Sequence, residues 1–338
     1  MRRSPFLANL LLLLLALFLS VAVGAVSIPP GTLGRMLLAQ IPGLSISPDW
    51  PAAFNAIVFQ LRLPHAALIL LTGAALAGSG AAYQGLFRNP LADPYLLGSA
   101  SGAGLGAILA MSFNWPQSFL GYLAVPVAAF VGALGTVLLV YSLAREKQTV
   151  SPTALILAGI AVSAFASSIT SYLMLRSNEE IRRALAWLMG GSSMSGWLPV
   201  GAALPYIVVG LGILILSGHA LNVLQSGEEQ ARQMGLNAER AKIIILVAAS
   251  FSVAAAVAFS GIIGFVGLIV PHVVRILWGP DYRRLIPLSI LGGASALLLA
   301  DTLARTIIAP QVLPVGIVTA LVGAPFFLWV LRRAREQE

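Results

Sequence analysis

Ionisable side chains are rare within the long apolar stretches of this sequence. Asp301 and Arg305 lie four residues apart in one such stretch, and His272 directly follows Pro271 in another. Ionisable groups inside a membrane span are costly and are typical of ion or proton sites. However, an i,i+4 acid–base pair is commonly a structural neutralisation, and a lone histidine commonly packs. These residues leave proton-coupled transport open as an alternative but favour it only weakly.

Motifs for ATP hydrolysis or metal chemistry are absent from the sequence. A P-loop needs a glycine-rich turn that runs into Lys-Ser or Lys-Thr, whereas the two lysines, Lys147 and Lys242, lie in Arg-Glu-Lys-Gln and Arg-Ala-Lys-Ile. Cysteine is absent, which excludes thiolate ligands and cysteine nucleophiles. The three histidines are scattered and do not form the cluster expected of a membrane enzyme. We therefore expect no catalytic residue, no metal site and no cofactor in this chain.

The composition indicates a membrane protein. Of the 338 residues, 58% are hydrophobic and 9% are charged, whereas soluble domains carry about 25% charged residues. Lipid can solvate an apolar exterior, so a membrane location explains this composition. The net charge of +8 would suggest a nucleic-acid partner in a soluble protein, but we expect none here and assign lipid as the surrounding partner.

Apolar stretches long enough to cross a hydrocarbon core of about 30 Å occur nine times. They lie near 6–26, 64–86, 95–113, 119–144, 153–175, 198–217, 241–260, 285–308 and 312–331. Residues 261–278 are apolar but short and contain Pro271, which predicts a tenth, shortened or broken helix. The first stretch resembles a secretory signal, but we interpret it as a retained helix because further spans follow. The sequence predicts an all-α polytopic membrane protein of about ten transmembrane helices, with residues 1–338 forming a single transmembrane domain.

The distribution of basic residues predicts the orientation. With ten spans and a cytoplasmic N-terminus, most of the 20 basic residues fall in cytoplasmic loops, as the positive-inside rule requires. The basic residues left outside are Arg35, Arg62, Arg176, Arg182, Arg183 and Arg305. We therefore expect both termini in the cytoplasm. Arg2, Arg3 and Lys147, which contribute to this count, lie outside the residues that the structure below describes.

Two kinds of segment between or within the spans carry further information. Residues 225–240 are polar and predict one short helix and a turn that ends at Gly235; they are either an ordinary cytoplasmic loop or a docking helix for a soluble motor subunit. Glycines recur within apolar stretches, as in 98–106 and 261–267. Small residues predict close helix packing in lipid, and a pore-lining or hinge role is the alternative.

Several motifs closely resemble the signature of the FecCD-type permeases, which import iron chelates, haem and cobalamin. The matching residues run in order from about residue 60 almost to the C-terminus. They are Arg62-Leu-Pro-His65, 73–80, Gln84, 88–94, 97–98, 157–159, 187–190, 227–235, 261–272, 293–301, 313–316 and 323–325.

The resemblance implies a type II ABC importer permease fold in the cytoplasmic (inner) membrane. It further implies a homodimer with two ATPase subunits below and one soluble substrate-binding protein above, with ATP and Mg²⁺ bound by the partner ATPase. The resemblance raises the docking interpretation of residues 225–240 above that of an ordinary loop.

The resemblance also assigns roles to particular residues. It implies that Arg62, His65 and Arg305 contact the docked binding protein. ATPase coupling falls to Gly227, Glu228, Ala231, Arg232 and Gly235, and the cytoplasmic gate to Asn89, Leu91, Ser151, Pro152 and Thr153. His65 departs from the family pattern, because many relatives carry arginine there and a histidine is mostly uncharged at neutral pH.

The function that these motifs imply is ATP-driven import of an iron chelate, either a ferric siderophore or haem, by alternating access. A cobalamin importer of the same family is the alternative. An ion-coupled secondary transporter, which the isolated residues left open, becomes much less attractive once the motifs are counted.

Overall fold

A computed structural model describes residues 4–24, 26–44, 46–113, 115–116, 118–146, 149–176, 181–191 and 194–335. The helices are α1 (Pro5–Ala22), α2 (Pro30–Leu38), α3 (Ala52–Asn55), α4 (Leu63–Leu86), α5 (Ser99–Met111), α6 (Phe119–Ala144), α7 (Pro152–Arg176), α8 (Ile181–Leu188), α9 (Leu198–Leu216), α10 (Gly218–Gln225), α11 (Glu228–Gln233), α12 (Ala238–Ser260), α13 (Val266–Trp278), α14 (Tyr282–Thr306) and α15 (Val315–Arg335). A π-helical stretch, Ala56–Arg62, joins α3 to α4. The strands β1 (Arg145–Glu146) and β2 (Thr149–Val150) pair antiparallel, with Arg145 opposite Val150. Apart from this short pair the described fold is all-α, as the sequence predicts.

Seven helical spans among the described residues are long and apolar enough to cross a membrane. They are Pro5–Ala22, Ala52–Leu86, Gly121–Ala144, Thr153–Leu175, Leu198–Leu216, Ala238–Ser260 and Tyr282–Thr306. The shorter apolar helices are Ser99–Met111, Val266–Trp278 and Val315–Val330. These ten segments follow the ten predicted spans in order, which confirms the predicted architecture.

The helix bounds differ from the prediction in two informative places. The predicted span at 95–113 is a helix of only 13 residues, because Gly98, with φ of 79°, is left-handed and keeps the chain irregular before Ser99. The predicted span at 64–86 instead starts at Ala52 and passes through the π-helical stretch. Arg62 is the last residue of the π-helical stretch, and its side chain bonds to the carbonyl oxygen of Val21.

The helices α4 and α14 form the central pair of the bundle, with α1, α12 and α13 packed around them. Their backbones meet at Gly73 and Gly293, where a Cβ on Gly73 would overlap the carbonyl oxygen of Gly293. The backbones of α5 and α6 meet in the same way at Gly102 and Gly132. The close packing that the small residues predict is therefore confirmed at these glycines.

The chain crosses part of the bundle without helical structure between α4 and α5 and between α12 and α13. Gly102 lies against Gly132, about 18 Å along α6 from its end at Ala144, so α5 starts deep within the bundle. Gly267, near the start of α13, lies against Gly80 of α4. The helix α13 is 13 residues long, which confirms the predicted shortened span.

Candidate docking, coupling and gate sites

The predicted docking residues converge at one end of the α4–α14 pair. Asp301 is buried and accepts a hydrogen bond from Arg305 Nε to Oδ2 at 2.8 Å. His65 Nε2 lies 2.9 Å from the other oxygen of the same carboxylate. The structure therefore joins His65 to Arg305 through Asp301, and this contact becomes an ion pair when the imidazole is protonated.

Both arginines direct their guanidinium groups towards the end of α1. Arg62 Nη1 donates to the carbonyl oxygens of Val21 and Ala22 at 2.8 and 3.0 Å, and Nη2 donates to that of Val26. The last carbonyl groups of a helix lack intrahelical partners and carry the negative end of the helix dipole. The guanidinium of Arg62 therefore caps α1.

Arg305 completes the same cap. Its Nη2 donates to the Ser20 carbonyl at 3.0 Å and lies 3.1 Å from the Ser20 hydroxyl, and its Nη1 donates to the Val23 carbonyl at 3.3 Å. Gly24 is the residue that makes room, because a Cβ there would lie 2.8 Å from Arg62 Nη2. The sequence did not indicate this partner for the two arginines, and their docking role stays a prediction.

The predicted coupling segment folds as the sequence indicates, into the short helix α11 between two glycines. Gly227 and Gly235 have φ of 108° and 84°, conformations that glycine adopts without the steric cost of a side chain. Ala231 is fully buried, whereas Arg232 is exposed. Glu228 lies 2.5 Å from Lys242 of α12. One face of α11 is thus fixed to the protein while the other is exposed, and the coupling role of this segment stays a prediction.

The helix α10 connects this segment to the ends of α4 and α14, which the sequence analysis missed. Gln225 Nε2 donates to the Gly85 carbonyl at 2.9 Å. Asn222 Nδ2 donates to Asp281 Oδ1 at 2.6 Å, and Asn222 Oδ1 accepts from the backbone N–H of Tyr282 at 2.9 Å. Two amide side chains within one eight-residue helix are the sequence signal for these links.

The carboxylate of Asp281 is the N-cap of α14 and is strongly held. Hydrogen bonds from the side chains of Arg283 and Asn222 keep the pKa of Asp281 well below its usual range. The carboxylate therefore stays ionised at any physiological pH, and its favourable contact with the N-terminal end of α14 is permanent.

The predicted gate residues lie in two short segments. Asn89 Oδ1 accepts a hydrogen bond from the backbone N–H of Leu91 at 2.9 Å, a local turn that follows the end of α4. Ser151 and Thr153 are exposed and flank Pro152, where α7 begins. The carbonyl of Ser151 accepts from the N–H of Leu155 at 3.0 Å, in the first turn of α7. The gate role of both segments stays a prediction.

A buried network ties the gate end of α4 to α13. Gln84 Nε2 donates to the Leu268 carbonyl at 3.1 Å, and Gln84 Oε1 accepts from Arg275 Nη2 at 2.8 Å. His272 of α13 packs its ring against Phe326 with the centroids 6.2 Å apart. The histidine has the aromatic neighbour expected of a packing residue, although its Nδ1 is buried without a hydrogen-bond partner.

The apolar spans, with the short helix α11 between two of them, define a multi-pass membrane protein, and the family match makes it a permease of ABC importers. The model of the FecCD transport family matches residues 12–333, and the chain belongs to this family.

Three similar proteins illustrate the range of this family. A cobalamin import system permease of Halobacterium salinarum is 43% identical, covering 92% of this chain and 87% of that protein. A hemin transport system permease of Yersinia pestis is 41% identical, covering 87% and 90%. A structure of a metal-chelate type ABC transporter in an inward-facing conformation is 30% identical with a TM-score of 0.81, covering 97% of this chain and 98% of that one.

Proposed function

We propose that this chain is the permease subunit of an ATP-driven importer for an iron chelate, a ferric siderophore or haem. It works as a homodimer with two ATPase subunits, which bind ATP and Mg²⁺, and one soluble substrate-binding protein. The observation that carries the proposal is α11, an exposed helix between two glycines with one face fixed to the protein, in a chain of the FecCD family.

The mechanism is alternating access without covalent chemistry in this chain. Closure of the ATPase subunits displaces α11, in which Arg232 faces outward and Ala231 inward. The displacement passes through the hydrogen bonds of α10 to the ends of α4 and α14. Because α4 and α14 are packed backbone to backbone at Gly73 and Gly293, they move as one unit, and the gates at Asn89–Leu91 and Ser151–Thr153 open or close at their cytoplasmic side.

The binding protein docks at the opposite end of the same two helices. Carboxylates on its two lobes receive Arg62 and Arg305, because charge-assisted contacts of this kind orient protein partners. In the protomer both guanidiniums are engaged with the end of α1. Docking therefore exchanges carbonyl contacts for carboxylate contacts, so it costs less than it would if the arginines had to lose solvent. His65 adds positive charge to this surface only when protonated.

The orientation of the chain in the membrane and the extent of its transmembrane domain follow from the same proposal. With α11 and the gates in the cytoplasm, the ten spans put both termini in the cytoplasm, and residues 1–338 form one transmembrane domain. The segment 225–240 is then the coupling segment of the inner membrane complex.

The ligand class rests on two similar proteins, a hemin permease and a metal-chelate type transporter. Cobalamin is the second candidate, and the specific observation that favours it is the 43% identical cobalamin permease. Ferric siderophores, haem and cobalamin are all bulky, so one scaffold can serve each of them, and the binding protein makes most of the choice.

Uptake by proteoliposomes tests the function. The permease is reconstituted with its ATPase and binding protein, and ATP-dependent accumulation of ferric siderophore, haem and cobalamin is compared. We expect an iron chelate to accumulate. Accumulation of cobalamin alone would overturn the iron-chelate part, whereas uptake driven by an ion gradient without ATP would overturn the importer assignment and leave a secondary transporter.

The double substitution Arg62→Glu and Arg305→Glu tests docking in the same system. We expect the binding-protein affinity to fall by at least about tenfold, the equivalent of one charged hydrogen bond. Because both arginines also cap α1, the thermal midpoint is measured alongside. Arg284→Glu, an exposed charge reversal near the opposite end of α14, is the control and should leave the affinity unchanged.

A further inference from the structure

The two irregular segments inside the bundle need partners for their backbone groups. Residues 87–98 follow α4, and residues 261–265 separate α12 from α13. In an apolar interior an unpaired backbone N–H or C=O is costly, so irregular segments survive there only if other groups satisfy them. Ile263, in the second segment, is 1% exposed and has no helix of its own to supply these bonds.

Tyr95 supplies them from the first segment. Its hydroxyl donates to the Ile263 carbonyl at 3.0 Å and accepts from the Ile263 N–H at 3.2 Å. A hydroxyl is one of the few groups that can donate and accept at once. One side chain of residues 87–98 thus pairs both backbone groups of Ile263.

The Tyr95 backbone is itself held in place. Its N–H donates to Asp93 Oδ1 at 2.7 Å, and its carbonyl accepts from the N–H of Gly98 at 2.8 Å. Next to it, the ring of Pro94 occupies the space that a Cβ on Gly267 would need, with Cδ at 2.7 Å. Two independent contacts therefore hold the first segment, one polar to Ile263 in the second segment and one steric to Gly267 at the start of α13.

The joined segments extend to the proposed gate. Asn89 and Leu91 lie in the first segment, a few residues before Tyr95, and α13 leaves the second segment towards Arg275, which bonds to Gln84 of α4. A displacement of α13 therefore reaches the turn at Asn89 by two routes, through Gln84 and through Tyr95.

We propose that Tyr95 is a positioning residue for the cytoplasmic gate, locking residues 87–98, which contain Asn89 and Leu91, to residues 261–265 through both backbone groups of Ile263. The proposal rests on the gate assigned under the proposed function. Tyr95 does not touch the transported ligand in this role; it makes residues 87–98 and α13 change position together.

The test uses a single-cysteine reporter, since the natural sequence contains no cysteine. Leu91→Cys is introduced into the full permease–ATPase complex in proteoliposomes, and its reaction with a membrane-impermeant maleimide is timed without nucleotide and with trapped ATP. Tyr95→Phe is then added. We expect the nucleotide-free labelling rate to rise by about tenfold or more, the order that an orphaned pair of buried backbone groups allows, and its dependence on nucleotide to disappear.

Tyr83→Phe is the matched control. Tyr83 is also buried, and its hydroxyl lies 2.6 Å from that of Ser250, but it joins two regular helices, α4 and α12. The control should lower the thermal midpoint without changing the labelling of Leu91→Cys. Basal ATP hydrolysis is measured for both variants. We expect Tyr95→Phe, but not Tyr83→Phe, to hydrolyse ATP without a nucleotide-dependent change in the labelling of Leu91→Cys.

The outcomes separate the two proposals. If the Leu91→Cys parent labels at the same rate in every nucleotide state, the gate assignment fails and this inference fails with it. If the parent responds to nucleotide and Tyr95→Phe responds identically, the gate stands and Tyr95 has no positioning role. Should Tyr95→Phe not fold, Asp93→Ala, which keeps the hydroxyl but frees the Tyr95 backbone, should raise the nucleotide-free labelling to an intermediate rate; unchanged labelling would overturn the inference.

Discussion

The two ends of the α4–α14 pair are held by different chemistry. At the docking end a buried carboxylate, Asp301, binds Arg305 and His65, and the cap on α1 uses charged guanidiniums. At the coupling end neutral amides, Asn222 and Gln225, reach the backbone and the cap of the same two helices.

This difference separates exchangeable contacts from permanent ones. A guanidinium can trade a carbonyl oxygen for a carboxylate of a partner without being left unpaired, because both are strong acceptors. Asn222 has no such substitute acceptor or donor on offer, and its loss leaves the Tyr282 N–H unpaired. Under the proposed function, we therefore expect a partner to remodel the contacts of the docking end and the coupling end to transmit displacement.

The largest expected effect comes from removing the carboxylate that joins Arg305 and His65 at the docking end. Asp301→Ala leaves Arg305 and His65 without their shared carboxylate, and breaking a buried ion pair by removing one partner costs about 3–5 kcal/mol. Thermal unfolding of the purified permease measures the loss. Asp49→Ala is the control, because the Arg35–Asp49 pair is similarly short at 2.6 Å but about half exposed, so it should cost below about 1 kcal/mol. Equal losses would show that Asp301 is not the organising group of this end.

A smaller effect is expected from removing the Asn222 amide at the coupling end. Asn222→Ala leaves the Tyr282 N–H unpaired and removes one hydrogen bond to Asp281. We expect the free energy of unfolding to fall by about 1–3 kcal/mol. We expect the number of ATP molecules hydrolysed per ligand transported to rise, measured in proteoliposomes. Ser118→Ala is the control, because the Ser118 hydroxyl caps its own helix, α6, by accepting from the Gly121 N–H at 3.3 Å, so it should lower stability without changing that ratio. A change of the ratio in both variants would contradict the path through α10.

The smallest expected effect sharpens the comparison. Glu228→Gln removes the charge that faces Lys242, in a pair whose side chains are 34% and 15% exposed. Partly exposed pairs contribute about 0.2–1 kcal/mol, and added salt weakens them. The thermal midpoints of parent and variant should therefore differ at low salt and become nearly equal at high salt. A loss that exceeds that of Asn222→Ala would place the main anchor of the coupling segment in α11 rather than in α10.

Features set by local rules were predictable from the sequence. Apolar length gave the ten spans, and Gly235 correctly marked the end of the helix in the coupling segment. The glycines of 98–106 and 261–267 correctly indicated close packing, which the structure shows at Gly102 and Gly267. The resemblance to a known family brought Arg62, His65 and Arg305 together as one group, and the structure does cluster them.

Features set by long-range contacts were not predictable. The acceptors of Arg62 lie about forty residues earlier in the chain, and no periodicity reveals which carbonyl group meets which guanidinium. The pairing of Tyr95 with Ile263 spans 168 residues and joins two irregular segments whose contact no local pattern indicates. Tertiary geometry, rather than residue type, decides both contacts.

The short helices α5 and α13 have a consequence for how the protein enters the membrane. Each has 13 residues and so is about 20 Å long, short of a hydrocarbon core of about 30 Å. Neither can be released into lipid as a finished span while its irregular flank still exposes backbone groups. Both must be integrated together with the groups that pair those flanks, such as the Tyr95 hydroxyl at Ile263. We therefore expect several segments of this permease to insert into the membrane together rather than one after another.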